Sequence, residues 1–119
     1  AGQVVTGDVV IAISNSGETE EIQRAVEAVR GLGAKLIAVT GDSRSRLAQR
    51  ADLVLEAGVA EEGGGLGFAP RTSVAAEILV LAALSATLES EREFTRAEYN
   101  ARHPSGKLGE ASSPAAPEA

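Results

Sequence analysis

The sequence predicts an α/β protein built on a parallel sheet. Three observations carry this: short Val/Ile-rich runs bounded by glycine and small polar residues, stretches of helical spacing between them, and turn residues at each changeover. "DVVIAIS" (Asp8 to Ser14) follows Gly7 and has the continuous apolar character of a strand buried on both faces. From Thr19 onward Ile22, Ala25, Val26, Val29 and Leu32 recur at three- and four-residue spacing, an amphipathic helix stopped by Gly31 and Gly33. "AKLIAVTG" (Ala34 to Gly41) is a second strand, and Asp42 or Ser43 is placed to cap a short helix carrying Leu47 and Ala48. "ADLVLEA" (Ala51 to Ala57) is the third strand. Strands alternating with helices imply right-handed crossovers between parallel neighbours.

The remainder reads as a loop and helices. Gly58 to Pro70 contains five glycines and makes a long loop. Thr72 or Ser73 is placed to cap an apolar helix running to about Ser90 through Val74, Ile78, Leu81, Ala82 and Leu88. Thr95 and Glu98 have the spacing of a capping box and start another short helix. Pro104 and Gly106 interrupt regular structure in "RHPSGKLGE", and "ASSPAAPEA" from Ala111 reads as a disordered Ala/Pro-rich tail or linker. With only three strands the core is thin and the first strand is an uncovered apolar edge. A missing N-terminal half, or a partner chain covering that edge, is therefore expected. The absence of Met points the same way: either an initiator preceded Ala1 or the chain is a piece of a longer one.

Composition narrows the function classes. The 119 residues are 44% hydrophobic but only 3% aromatic, so Ala, Val, Leu and Ile must build the core of one domain. Eleven basic against seventeen acidic residues give a net charge of −6, which disfavours nucleic acid and anionic membrane as partners. The longest uninterrupted apolar run, Ile78 to Leu84, is seven residues against the roughly 20 of a membrane span. With no cysteine, disulfides and thiol chemistry are excluded, and a cytoplasmic location is the simple expectation. One histidine and no other ligand spacing leave no metal site to propose.

The chemistry concentrates at "SNSGET". Ser14, Asn15, Ser16, Gly17 and Thr19 lie between a strand end and a helix start, where free N–H groups and the helix dipole favour an anion. Gly17 would let the backbone approach closely while the hydroxyls donate without bulk. The plainer alternative is that Ser16 caps the helix, with Glu18, Glu20 and Glu21 favourable in its first turn. Those glutamates would repel a dianion unless they turn away. Glu61 and Glu62 precede three glycines, where a carboxylate could serve as a general base or simply be solvated. His103, beside Pro104, suits proton transfer near neutrality or an ordinary surface position. Arg44, Arg46 and Arg50 read as a solvated helix face, and Arg71 precedes a helix N-terminus where it could reach an anion or face solvent.

Together "GDVVIAISNSGETEE", "LGAKLIAVTG", "ADLVLEAGVAEEGGGLGFAP" and "HPSGKLG" resemble the sugar isomerase (SIS) domain, and within it the KpsF/GutQ-like arabinose-5-phosphate isomerases. The likeness covers about Gly7 to Gly109, giving an SIS domain over residues 1–110 and a tail over 111–119. It implies a three-layer αβα sandwich of flavodoxin-like, Rossmann-like topology, present here as a partial domain. It further implies conversion of D-ribulose 5-phosphate and D-arabinose 5-phosphate through an enediol, with no cofactor and in a homo-oligomer, a dimer or tetramer. By the same resemblance Ser14, Asn15, Ser16, Gly17 and Thr19 hold the sugar phosphate, and Glu18 falls at an active-site glutamate. Glu62 matches the glutamate that moves the proton between C1 and C2, and His103 matches a histidine supplied at a subunit interface. A lysine-bearing "GxGKSG"-like loop belongs to the family's preceding half, and neither Lys35 nor Lys107 matches it. "EEGGG" is richer in glycine than in relatives, and "RTSV" stands where the family prefers small hydroxyl residues. The alternative is a non-catalytic SIS module that senses a phosphosugar, which would need "SNSGET" but neither Glu62 nor His103.

Overall fold

The computed structural model describes residues 2–114 and divides into two compact units, Ala1–Ala82 and Ala83–Ala119. The first contains β1 (Val9–Ile13), α1 (Glu20–Gly31), β2 (Lys35–Thr40), α2 (Arg46–Arg50) and β3 (Leu53–Glu56). The strands form one parallel sheet in the order β1-β2-β3, with Ile11 opposite Ile37 and Ile37 opposite Leu53. This is the mixed α/β fold with a parallel sheet that the sequence predicts, and each strand falls within the expected run.

Sequential order with right-handed crossovers places α1 and α2 on the same face of the sheet, and the two helices pack together there. Val26, Leu36, Ala38 and Leu47 form the buried core on that side, with Val10, Ala12, Ile22, Ala51 and Val54 against it. Successive strand residues point to opposite faces, so Val9, Ile11 and Ile13 point the other way and remain 61%, 42% and 41% exposed. Asp52 stitches β3 to β2: it accepts the Leu36 N–H at 2.8 Å and faces Arg30 and Lys35 at 2.9 and 3.4 Å. The Leu36 N–H, helped by the two cations, holds its carboxyl below the usual range.

Two helix starts differ from expectation. Ser45, and not Asp42 or Ser43, caps α2 by accepting the Ala48 N–H at 3.3 Å. Asp42 is occupied one turn earlier, accepting the Arg44 N–H at 2.8 Å. The apolar helix α3 (Thr72–Glu91) is capped from outside by Glu62, not by Thr72 or Ser73. Helix α3 runs from the first unit into the second. Of its residues only Ser73 is buried, and Ile78 and Leu79 stand open to solvent. It has twenty residues, and an 18-residue stretch within it has a mean hydropathy of 1.5, so by length and composition it is long and apolar enough to cross a membrane.

The second unit holds α4 (Arg96–Arg102) and α5 (Gly106–Ser112). The expected capping box is formed: Thr95 Oγ1 accepts the Glu98 N–H while Glu98 accepts the Thr95 N–H. Pro104 follows the end of α4, yet regular structure resumes at Gly106, and Ala111 and Ser112 belong to α5 and not to the tail expected there. Asn100 Nδ2 ties the two helices by donating to the Gly109 carbonyl at 2.8 Å and to Ser112 Oγ at 3.2 Å. The rest of the expected tail, residues 115–119, lies outside the described residues.

Candidate functional site

The carboxyl ends of the three strands meet. Asn15, just past β1, accepts the Gly41 N–H at 2.8 Å and the Thr40 hydroxyl at 3.3 Å, and Ala57, just past β3, donates to the Thr40 carbonyl at 2.8 Å. At such an end an open parallel sheet presents helix N-termini and loops to a ligand. The segment from Ser14 to Thr19 forms the rim on the β1 side. Ser14 accepts the Gly17 N–H through both its carbonyl, at 3.0 Å, and its hydroxyl, at 3.2 Å. Ser16 Oγ accepts the Glu18 N–H at 3.2 Å, and Ser14 Oγ lies 3.5 Å from Thr19 Oγ1. The predicted phosphate-binding residues therefore come together in one turn of loop.

Gly17 is also required by packing within the chain itself. Its φ is +64°, and a Cβ there would overlap the Ser45 hydroxyl and lie 2.9 Å from Thr40 Oγ1. The absent side chain thus makes room for the cap of α2 beneath the loop. Buried Gln23 and the Leu47 N–H hold the Gly17 carbonyl at 2.8 and 3.1 Å, so the loop rests on a polar floor.

Ser16 does not cap α1, because its hydroxyl is turned to Glu18, and Thr19 makes no side-chain capping bond either. Among the described residues the N–H groups of Thr19, Glu20, Glu21 and Ile22 have no protein acceptor. These are the orphan donors of a helix start, and they leave the positive end of the α1 dipole open. Two of the three acids at this helix start, Glu18 and Glu20, are drawn aside. Glu18 Oε1 accepts the Arg46 N–H at 2.8 Å, and Glu20 is held by Arg46 and Arg24 at 3.3 and 3.7 Å. Arg46, read from sequence as a solvated arginine, restrains the charge that would oppose an anion.

Glu62 lies on the loop that leaves β3. Its Oε2 accepts three successive N–H groups, those of Arg71 and Thr72 at 2.8 Å each and Ser73 at 3.2 Å, at the start of α3. The Ser73 hydroxyl, then the Arg71 N–H and the other two amides, pull its pKa down to about 2. The carboxylate is neither simply solvated nor tuned upward by burial. Glu77, one turn into α3, has its pKa raised by burial and by the nearby Glu62 charge. It was missed from sequence, although it is the single charged residue between Thr72 and Leu88. His103 belongs to the second unit, where it ends α4 and stacks on Tyr99 with ring centroids 4.7 Å apart. No cluster of three or more metal-ligating side chains occurs among the described residues.

The profile of the SIS domain matches residues 2–87. The chain belongs to the SIS-domain family. Its SIS match takes in most of α3, the helix whose length and composition would also suit a membrane. The chain is 42% identical over 108 residues to the arabinose 5-phosphate isomerase KdsD of Escherichia coli K12, and 38% identical to KdsD of Pseudomonas aeruginosa. In both cases the alignment covers 91% of this chain and 33% of the relative, so the chain spans a third of the length of the curated relatives it matches. Among solved structures it is similar to the c3406 protein of E. coli CFT073 in complex with arabinose 5-phosphate, with a TM-score of 0.80, 40% identity, and coverage of 87% of this chain and 55% of that one.

Proposed function

We propose that this SIS domain binds a sugar phosphate at the Ser14–Thr19 loop and takes part in an aldose–ketose isomerase interconverting D-ribulose 5-phosphate and D-arabinose 5-phosphate. The observation that carries the reading is the open row of N–H groups at the start of α1, flanked by the Ser14, Ser16 and Thr19 hydroxyls, with the Glu18 and Glu20 carboxylates held aside. Similarity to isomerases of arabinose 5-phosphate supports the choice of substrate.

In this reading the phosphate sits on the α1 amides, and Asn15 and the serines fix the sugar chain. Glu62 takes a proton from C1 of the ketose as electrons shift to the C2 oxygen, a proton passes from the C1 hydroxyl to that oxygen through the enediol, and Glu62 returns its proton at C2 to give the aldose. Its three N–H bonds keep Glu62 ionised at neutral pH but weaken it as a base. Stabilisation of the enediolate oxygen by donors then carries a larger share of the barrier. Glu18 orders the loop from the α2 side, and His103 acts across a subunit interface of a homo-oligomer in the cytoplasm. No cofactor enters this proton transfer.

The alternative, a phosphosugar sensor without catalysis, is favoured by one observation: the Glu62 carboxylate is already engaged as the cap of α3. Incubating the native protein that carries this chain with ribulose 5-phosphate in deuterated water separates the two. The isomerase incorporates deuterium at C2 of the arabinose 5-phosphate formed, and Glu62→Gln lowers that rate by about 10²- to 10⁴-fold. His103→Asn lowers it as well. Binding without any exchange makes the protein a sensor.

A further inference from the structure

The loop between Glu62 and α3 is held almost without packing. Leu66 and Phe68 are 83% and 86% exposed, and Gly63, Gly64 and Gly65 offer no side chains to anchor it. Three successive glycines are also the segment with the most backbone freedom to lose. Polar bonds from the start of α3 take the place of packing. The Thr72 hydroxyl accepts the Gly63 N–H at 3.0 Å, and the Arg71 guanidinium donates to the Gly63 carbonyl at 2.8 Å. Arg71 also approaches the chain closely at Gly64, where φ is +98° and a Cβ would lie 2.5 Å from Nη1. Glycine at position 64 and arginine at position 71 are thus fitted to one another. Arg71 is the single charged residue lining a cavity of about 650 Å³ formed with Gly64, Gly65, Leu66, Phe68 and Ala69.

We propose that Arg71 is a positioning residue: its guanidinium, bonded to the Gly63 carbonyl, immobilises the glycine run and thereby fixes the backbone that carries Glu62. This rests on the reading of Glu62 as the proton-transferring group. Arg71 donates to Glu62 through its main-chain N–H, which any residue at position 71 except proline keeps, so the side chain's contribution is to the loop alone. A carboxylate held by its tip but joined to a loose backbone samples orientations that do not reach the substrate carbon, and small misplacements are costly in rate.

The test uses the native protein that carries this chain, with ribulose 5-phosphate as substrate and thermal unfolding of every variant as the check on folding. Arg71→Ala is expected to lower kcat roughly tenfold while KM moves less than about twofold, because the phosphate site at α1 is untouched. Arg71→Lys, which retains one donor but not the planar fork, falls between the two. In a Glu62→Gln background, Arg71→Ala adds less than about twofold, since it acts through a group already disabled. Unchanged kcat in Arg71→Ala, or an undiminished tenfold loss on top of Glu62→Gln, overturns the role of Arg71 while leaving Glu62 catalytic. Full turnover by Glu62→Gln alone overturns the catalytic reading itself, and the positioning role with it.

Discussion

The loop of residues 14–19 and the loop of residues 58–71 both leave the carboxyl end of a strand, and both place a glutamate at the N-terminus of a later helix. Glu18 accepts one N–H at the start of α2, and Glu62 accepts three at the start of α3. Their foundations are opposite. The first loop stands on buried Gly17, Gln23, Thr40 and Ser45, and its positive-φ glycine is fitted against a hydroxyl. The second has exposed apolar tips and is pinned by one carboxylate, one guanidinium and one threonine. A ligand-holding loop gains from being preformed, since ordering on binding would weaken affinity. On the proposed function the second loop moves a proton, which needs one group placed accurately, and a few directional bonds achieve that without a core beneath it.

On that contrast, the largest stability effect falls on the first loop. Gly17→Ala introduces both an unfavourable φ and an overlap with Ser45, and should destabilise the fold by about 2–4 kcal/mol in denaturant unfolding. Loss of less than about 1 kcal/mol there would mean the polar floor is soft. Ser16→Ala should weaken phosphosugar affinity by about 1–3 kcal/mol in calorimetry, because a hydroxyl donor to a charged phosphate is removed while the amides remain. The second loop is sensitive to acid instead. Glu62 titrates lower in the folded state than its usual 4.5, so its anchoring is complete above that pH and is lost as pH falls from there toward about 2. The unfolding-temperature difference between wild type and Glu62→Gln should therefore shrink across that window and stay constant from about pH 5 to pH 7. At the small end, Phe68→Ala should alter stability by less than about 0.5 kcal/mol, since its ring is mostly in solvent.

The sequence disclosed what neighbouring residues decide. Val/Ile runs located all three strands, and the Thr95–Glu98 spacing located the start of α4, because periodicity and capping are local. Contacts between distant segments were hidden. "GDSRS" offers three capping residues, and only packing beneath Gly17 selects Ser45. The cap of α3 comes from Glu62, ten residues before Thr72, which no local rule exposes. The "SNSGET" loop was legible as a strand-to-helix junction, yet the packing of Gly17 was not, since it depends on Ser45, a side chain far along the chain. Glu77 escaped notice within an apolar helix, where a lone charge is the available signal.

The central claim is that the open amides at the start of α1 hold the sugar phosphate, and amide-resolved NMR of the native protein titrated with arabinose 5-phosphate tests it most directly. Saturable shifts are expected at Ser16 to Ile22, largest for Thr19 to Ile22, which have no protein acceptor. Saturable binding that leaves those amides unmoved and instead shifts residues elsewhere would contradict it.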